Sequence, residues 1–538
     1  LIRKQIMIRY SVFFALLQVL STNAAPLLRP REIRSKNGLV SATLSVEEYF
    51  YENSELKTGF WTRIYNPSSS TGDILSVGPT LYIRRGEDVN LQLINALGPE
   101  TGTYRDINSY HFANTTNVHT HGLHVSAEAP QDNVLIKISP NESYTYTYSM
   151  PDDHAGGTFW YHAHFHGSTA IQVGGGLLGA LIVLDEEDDV PPAIWNLPEV
   201  VLVISEVEVD LMLTNMIAVS GDDLYTSSDN YYPDVNGYSF TLVNGQYQPT
   251  ITLTQGKWTR LRIIFSSLLD VLELQITSND IRCEWYLLAK DGIYVYGAPR
   301  DLQKTVYLAP GNRADVVMRC PASGSFALGA ASTSDIDQMI ILKGEVEPSS
   351  EAPDEALPLF DPYRPDYLAD LYDHKADNRF TFSFIPIPGP AIGQGSCALN
   401  GMQWDPRRPL TSIETGSIQE WTLSNVGRHP FHLHINSFQL NGALDLTGYF
   451  KTGDWHDTIY LPGVTSVVSY FFAVDTYTTK SIIHCHFLPH EDLGCMGYAN
   501  HTGPEGATTG LVGHGMSCLG GSTGTARYST NCTLLNSV

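Results

Sequence analysis

An all-β fold of three consecutive β-domains is predicted by three features of the chain. Its 538 residues, 43% apolar and 17% charged, suffice for a large core and about three or four domains, which excludes a disordered or fibrous protein. The 45 Gly, 30 Pro and 29 Tyr, with Val, Ile and Thr throughout, favour strands and turns over helices. One pattern also recurs three times: a short strand signal, a Gly at a tight turn, then alternating apolar positions that read as the second strand of a hairpin.

In chain order, residues 1–25 carry Arg3, Lys4 and Arg9, an apolar run from Ser11 to Leu20, and small residues before a cut, the layout of a secretory signal peptide. Residue 1 is Leu, which makes Met7 a candidate start. The first repeat copy, Arg85-Gly86 to Leu91 and Leu93, lies in a domain expected at 40–187. The second, Gln255-Gly256 to Leu261 and Ile263, lies in one at 193–346, and the third, Thr415-Gly416 to Trp421 and Leu423, in one at 378–505. The glycines are 170 and 160 residues apart, the spacing of domains of similar size. Residues 347–377, with nine acidic residues and five prolines, read as a wrapped linker, and 506–538 as a tail rich in Gly, Ser and Thr.

The net charge of −25 argues against nucleic acid or an anionic membrane as partner and leaves cations and neutral molecules open. The apolar run near the N-terminus is about half the length of a membrane span, so no anchor is expected and the protein reads as secreted. Sequons at Asn114, Asn141, Asn500 and Asn531 suit an extracellular glycoprotein. Of seven cysteines, Cys485 stands apart among histidines; the other six allow three disulfide bonds, with 283–320 and 518–532 favoured.

The 18 His are unevenly placed. None lies between His166 and His374, which covers the second repeat, so the middle domain is expected to connect its neighbours and to hold no histidine metal site. Ten fall into four groups: His119-Thr-His121, His162-Ala-His164, His429-Pro-Phe-His432-Leu-His434 and His484-Cys485-His486-Phe-Leu-Pro-His490. Residues two apart on a strand share a face, so both imidazoles of a His-x-His pair reach one metal cluster. Four pairs supply eight imidazoles, which suit three copper ions with positions left for oxygen. Cys485, between two of them, points to the opposite face and with His429 and His490 makes a His₂Cys electron-transfer set. Structural zinc closes with four ligands and has no use for ten histidines.

This set of motifs resembles the three-domain multicopper oxidases, the laccases and their bacterial relatives, over roughly residues 40 to 505. His166-Gly-Ser-Thr-Ala-Ile-Gln-Val is closer to the bacterial-type members. The resemblance implies cupredoxin-like Greek-key sandwiches and four coppers per chain. It implies a type 1 ion at His429, Cys485 and His490, and a type 2 ion at His119 and His432. The two type 3 ions would sit at His121, His162 and His486, and at His164, His434 and His484. By the same resemblance Glu491 and Asp132 feed protons to oxygen, and His490 is the point of electron entry. The implied reaction is one-electron oxidation of phenols or aromatic amines coupled to four-electron reduction of O2 to water, by a monomer.

One position departs from the family pattern. The axial type 1 residue lies ten places after the ligand Cys, where this chain has Cys495, followed by Met496. Either Met496 is a weak ligand, the reading favoured, or Cys495 sits by the copper as a thiol or in a disulfide bond, with Cys397 as its candidate partner. His124 and His166 flank ligand pairs and read as ordinary histidines rather than supports of the ligands. Trp455-His456-Asp457-Thr458 reads as structural, with a substrate-edge role for His456 or Asp457 as the lesser reading. Oxidation of ferrous, cuprous or manganous ions is the alternative function. A non-catalytic extracellular relative is a further one, disfavoured because every ligand is present.

Overall fold

A computed structural model of the chain describes residues 25–511, except 54, 57, 68–74, 101–105, 209–238, 279, 303–304, 331–338, 372–373, 390–394, 443–447, 462–467, 475–476 and 508. The expected leader, the tail beyond residue 511, the 518–532 pairing and the sequon at Asn531 lie outside the described residues.

The fold is all-β. Among the described residues six sheets fall into three pairs along the chain, and the same three-strand core recurs in each pair. Leu39–Asn53 pairs parallel with Asp88–Asn95, which pairs antiparallel with Ser143–Ser149. Glu199–Glu208, Thr259–Ser266 and Arg313–Arg319 repeat that arrangement, as do Asn378–Ile387, Ser417–Ser424 and Val468–Val474. The repeat glycines Gly86, Gly256 and Gly416 have φ of +71°, +73° and +77°, the left-handed region open to a residue without Cβ. The apolar positions five and seven residues later, Leu91 and Leu93, Leu261 and Ile263, Trp421 and Leu423, are all buried.

The expected hairpin does not form at these glycines. Thr80–Ile83 and Asp88–Asn95 belong to different sheets, and so do Thr250–Thr254 and Thr259–Ser266, and Thr411–Glu414 and Ser417–Ser424. Each Gly turns the chain from one layer of a sandwich into the other. Two sheets, each with one apolar face, must stack those faces to remove them from water, and this outweighs the local pairing of adjacent strands. Around the first turn the stacked layer contains Val40, Leu44, Leu91, Leu93, Leu81 and Leu181.

Buried ion pairs join the three pairs of sheets. Arg260 Nη1 meets Asp185 at 3.0 Å and Arg262 Nη1 donates to the Thr158 hydroxyl at 3.0 Å, tying the middle strands to strand Gly157–His162. Lys290 Nζ and Arg300 Nη2 meet the Asp454 carboxylate at 2.8 and 2.9 Å, which ties the middle to the last third. Cys283 is bonded to Cys320, as expected, and Cys397 to Cys495. The Asn114 sequon does not suit a glycan. Its amide is buried, donates to the carbonyls of Gly98 and Pro99, and accepts from Arg63.

Candidate metal centre

Strand register brings the four histidine groups together. His119–His121 lies beside Gly157–His162 with His119 opposite His162. Phe431–Leu433 lies between Lys480–Cys485 and Thr458–Ile459, with His432 opposite both His484 and Thr458. The second His of three motifs, His164, His434 and His486, sits just beyond its strand, held by a backbone N–H bond to Asn117, Ile482 and Pro430 respectively. All eight imidazoles are at most 1% exposed.

The inward nitrogens have almost nothing to bond to. Nε2 of His119, His162 and His432, Nδ1 of His121 and both nitrogens of His486 are buried without a hydrogen-bond partner. Such atoms cost about 1–3 kcal/mol each unless something else engages them. In His119, His162 and His432 the other nitrogen is engaged: His119 Nδ1 by Asp132 at 2.8 Å, His162 Nδ1 by the Ala163 carbonyl at 2.9 Å, His432 Nδ1 by the Asp457 carbonyl at 2.8 Å. This division, one nitrogen fixed and one free to bind, is that of metal-ligating imidazole. Nε2 of His484 lies 3.3 and 3.2 Å from Nε2 of His164 and His434, the separation of ligands on one ion about 2 Å from each. Ligand atoms of His164, His434 and His484 lie within 4.8 Å of one another, as do those of His119, His121 and His162. Burial keeps His162 and His164 neutral: with the neighbouring His164 it pushes His162 down to about 3, and it pushes His164 down to about 4 against the opposing pull of Glu491. Neutral imidazole is the form a metal needs, and the donor set suits copper.

Asp132 and Glu491 border the cluster. Asp132 accepts from His119 Nδ1 and, at 2.7 Å, from the Thr120 N–H; burial raises its pKa well above the usual range. It also lines a cavity of about 190 Å³ with Glu128, His434, Lys480 and Ile482. Glu491 Oε1 is 3.3 Å from His164 Nδ1 and accepts from the Thr169 hydroxyl at 3.0 Å, while Oε2 is 3.2 Å from His484 Nδ1. Burial alone would raise Glu491, but the imidazoles of His164 and His484 hold it below the usual carboxylate range.

On the other face of the same strand, Cys485 Sγ is 3.6 Å from Nδ1 of both His429 and His490. Burial pushes its thiol pKa up, so a thiolate there requires a bound cation. Cys485 and His429 are buried, and His490 is half-buried. The neighbouring sulfur is that of Cys495, bonded to Cys397, rather than that of Met496. Met496, the first residue of strand Met496–Thr502, packs instead with Val134, Trp404, Ile482 and Tyr498.

Sequence reasoning missed what the middle of the chain supplies. Arg313, wholly buried, grips Asp457 with Nη1 and Nη2 at 2.8 and 2.6 Å, and Asp457 Oδ1 lies 3.2 Å from His121 Nε2. Thr458 Oγ1 is 3.3 Å from His121 Nε2 and 3.0 Å from His432 Nδ1. Asp457 is therefore buried behind the ligands, and His456 bonds Asp291 at 3.0 Å; neither stands at a substrate edge. Gly311, with φ +93°, lets the backbone pass so close that a Cβ would meet the His486 and His121 rings at 2.9 and 3.0 Å. The sequence signal was the run Gly311-Asn312-Arg313-Ala314-Asp315, which carries charges into a stretch otherwise read as strand. His124 faces the Ile435 carbonyl and stacks on Tyr367, while His166 faces Asn108.

A family model described as multicopper oxidase matches residues 363–502 and another of the same description matches 72–188. Multicopper oxidase mco of Staphylococcus aureus is 25% identical over 86% of this chain and 89% of its own length. The laccase of Bacillus subtilis is 24% identical over 80% and 89%. Cell division protein FtsP of Escherichia coli is 25% identical over 73% and 77%. The solved structure of a multicopper oxidase from Campylobacter jejuni, titled a metallo-oxidase, shares the fold with a TM-score of 0.62 at 23% identity, over 89% of this chain and 94% of that one. With matches at both ends of the chain, the repeated sandwiches and the converging histidines, the chain belongs to the multicopper oxidase family.

Proposed function

We propose that the protein is a secreted, laccase-like oxidoreductase that takes single electrons from phenols or aromatic amines beside Cys485 and reduces dioxygen to water at the histidine cluster. One observation carries the reading: two ligand sets lie back to back on one strand, Cys485 with His429 and His490 on one face, and His484 with seven other imidazoles on the other. In this reading the type 1 ion is held by His429, Cys485 and His490, and the type 2 ion by His119 and His432. The type 3 ions are held by His121, His162 and His486, and by His164, His434 and His484. Copper bound there supplies a one-electron acceptor at the first set and the site of oxygen reduction at the second.

The chain's own groups then have distinct tasks. His490, half-buried, offers the edge at which a donor makes contact. The backbone on either side of Cys485 is the shortest covalent link to His484 and His486. Asp132, which burial keeps protonated, holds a proton between the cavity and His119, and Glu491, ionised between His164 and His484, accepts a proton and passes it on. Arg313, through Asp457, orients His121.

Metal-ion donors are the second reading, favoured by the net charge of −25, which draws cations to the surface. The deciding experiment measures copper per chain and oxygen uptake with a phenol against ferrous, cuprous and manganous salts. We expect about four ions and fastest uptake with the phenol. Fastest uptake with a metal salt selects the second reading. No uptake with any donor, or clearly fewer ions at full loading, overturns the oxidase assignment and leaves a non-catalytic role.

A further inference from the structure

The Cys485 pocket holds more sulfur than a one-cysteine electron-transfer site uses. Sγ of Cys397, Cys485 and Cys495 and a ring nitrogen of His429 all lie within 4.8 Å of one another, and all four residues are buried. The main chain fixes this closeness. The Cys485 N–H donates to the Cys495 carbonyl at 3.1 Å and the Cys495 N–H to the His490 carbonyl at 2.8 Å. The Ser396 hydroxyl, next to Cys397, donates to the carbonyls of His490 and Leu493 at 3.1 and 2.8 Å. The segments bearing the three sulfurs are thus tied to one another whether or not Cys397 and Cys495 are bonded.

With that bond closed, Cys485 is the one thiol ligand and His429 and His490 complete a three-ligand set. With it open, the same space holds three thiols and two imidazoles. Thiolate-rich sites favour closed-shell ions, zinc or cuprous, over cupric ion. We propose that the Cys397–Cys495 bond selects the metal of this site: closed, it takes copper as an electron-transfer centre; open, it binds a zinc or cuprous ion through Cys485, Cys495 and the imidazoles and stops passing electrons. The change is balanced. An external dithiol gives up two electrons and two protons and closes to its own disulfide, Cys397 and Cys495 become thiols, and each thiol that binds the ion releases its proton to water. The proposal rests on the copper reading only for the identity of His429, Cys485 and His490, so a chain inactive as an oxidase would still show it.

The test uses the full metal-free chain with zinc alone as probe, in competition with a chelator, before and after anaerobic treatment with dithiothreitol. Opening of the bond is followed by mapping alkylated Cys397 and Cys495. Because both sulfurs are buried, Cys397→Ser is run in parallel; it leaves Cys495 free without any reductant. We expect reduced wild type and Cys397→Ser to bind one zinc at least about 100-fold more tightly than the oxidised wild type. That gain should vanish in Cys485→Ser and in the double variant Cys397→Ser with Cys495→Ser, which opens the bond but leaves no second thiol. Equal affinity in oxidised, reduced and Cys397→Ser protein, or a gain that survives in the double variant, overturns the proposal.

Discussion

Cys485 is a buried thiol that gives up its proton only to a cation, and its two imidazole neighbours are neutral because burial pushes His429 down to about 3 and His490 to about 4. Cys485→Ser should therefore abolish the blue absorption and the turnover while the histidine cluster keeps its copper. Metal analysis with visible spectroscopy checks this, and blue colour surviving in the variant refutes the assignment. Arg313 acts one layer further out. Its two bonds hold the Asp457 carboxylate against His121 Nε2, leaving Nδ1 to face the cluster. Arg313→Gln and Asp457→Asn are each expected to weaken copper at the cluster about 10- to 100-fold without changing the Cys485 absorption. Because the two residues act as one unit, the double variant should lose little more than either single one; copper titration followed by electron paramagnetic resonance reads both effects.

At the scale of elements, the site depends on how helices and turns from different thirds of the chain dock. Helix Leu488–Asp492 follows the Cys485 strand directly, and the Asp492 carboxylate accepts from the backbone N–H groups of Gly167, Thr169 and Ala170 at 2.8, 3.0 and 2.8 Å, at the start of helix Thr169–Gly174. That junction also places Glu491 against Thr169 and His164. Asp492→Ala leaves three buried donors without an acceptor, so it should cost about 1–3 kcal/mol in denaturant unfolding and lower cluster copper. Asp492→Asn, which keeps an acceptor oxygen, should cost less; equal and negligible losses would show that these bonds add no stability to the junction. The glycine turns make the same point about docking. Their local signal was legible, yet each strand found its partner across a sandwich and not across the turn.

For the whole molecule, burial of so many imidazoles makes the metal-free protein sensitive to acid. Histidine in the unfolded chain takes up a proton near 6.5, whereas His162 in the fold does so only near 3 and His164 and His490 near 4. Between those values the unfolded state binds more protons, so stability falls as pH drops below about 6.5 and the loss is complete only below the folded values. Each such group contributes about 1.4 kcal/mol per pH unit across that window. Denaturant unfolding of metal-free protein from pH 7 to 4 should show this slope, and copper, which binds imidazoles already neutral in the fold over this range, should raise stability across it without changing the slope. A flat profile in the metal-free protein would mean that the histidines are not buried as a cluster in solution.

What the sequence determined by itself is the part that periodicity encodes. Alternation on strands marked Leu91, Leu261 and Trp421 as core, put both imidazoles of each His-x-His on one face, and separated Cys485 from its flanking histidines. What only the tertiary structure decided depends on residues far apart in the chain. Cys495 rather than Met496 stands beside Cys485, while Met496 packs against Trp404. The histidine-free middle, expected only to connect, supplies Gly311 and Arg313 to the wall of the cluster, since a buried guanidinium finds its carboxylate 144 positions away through packing alone. A motif of three or seven residues fixes which groups share a face; which faces meet is set by stacking the sandwiches, and no local pattern carries that information.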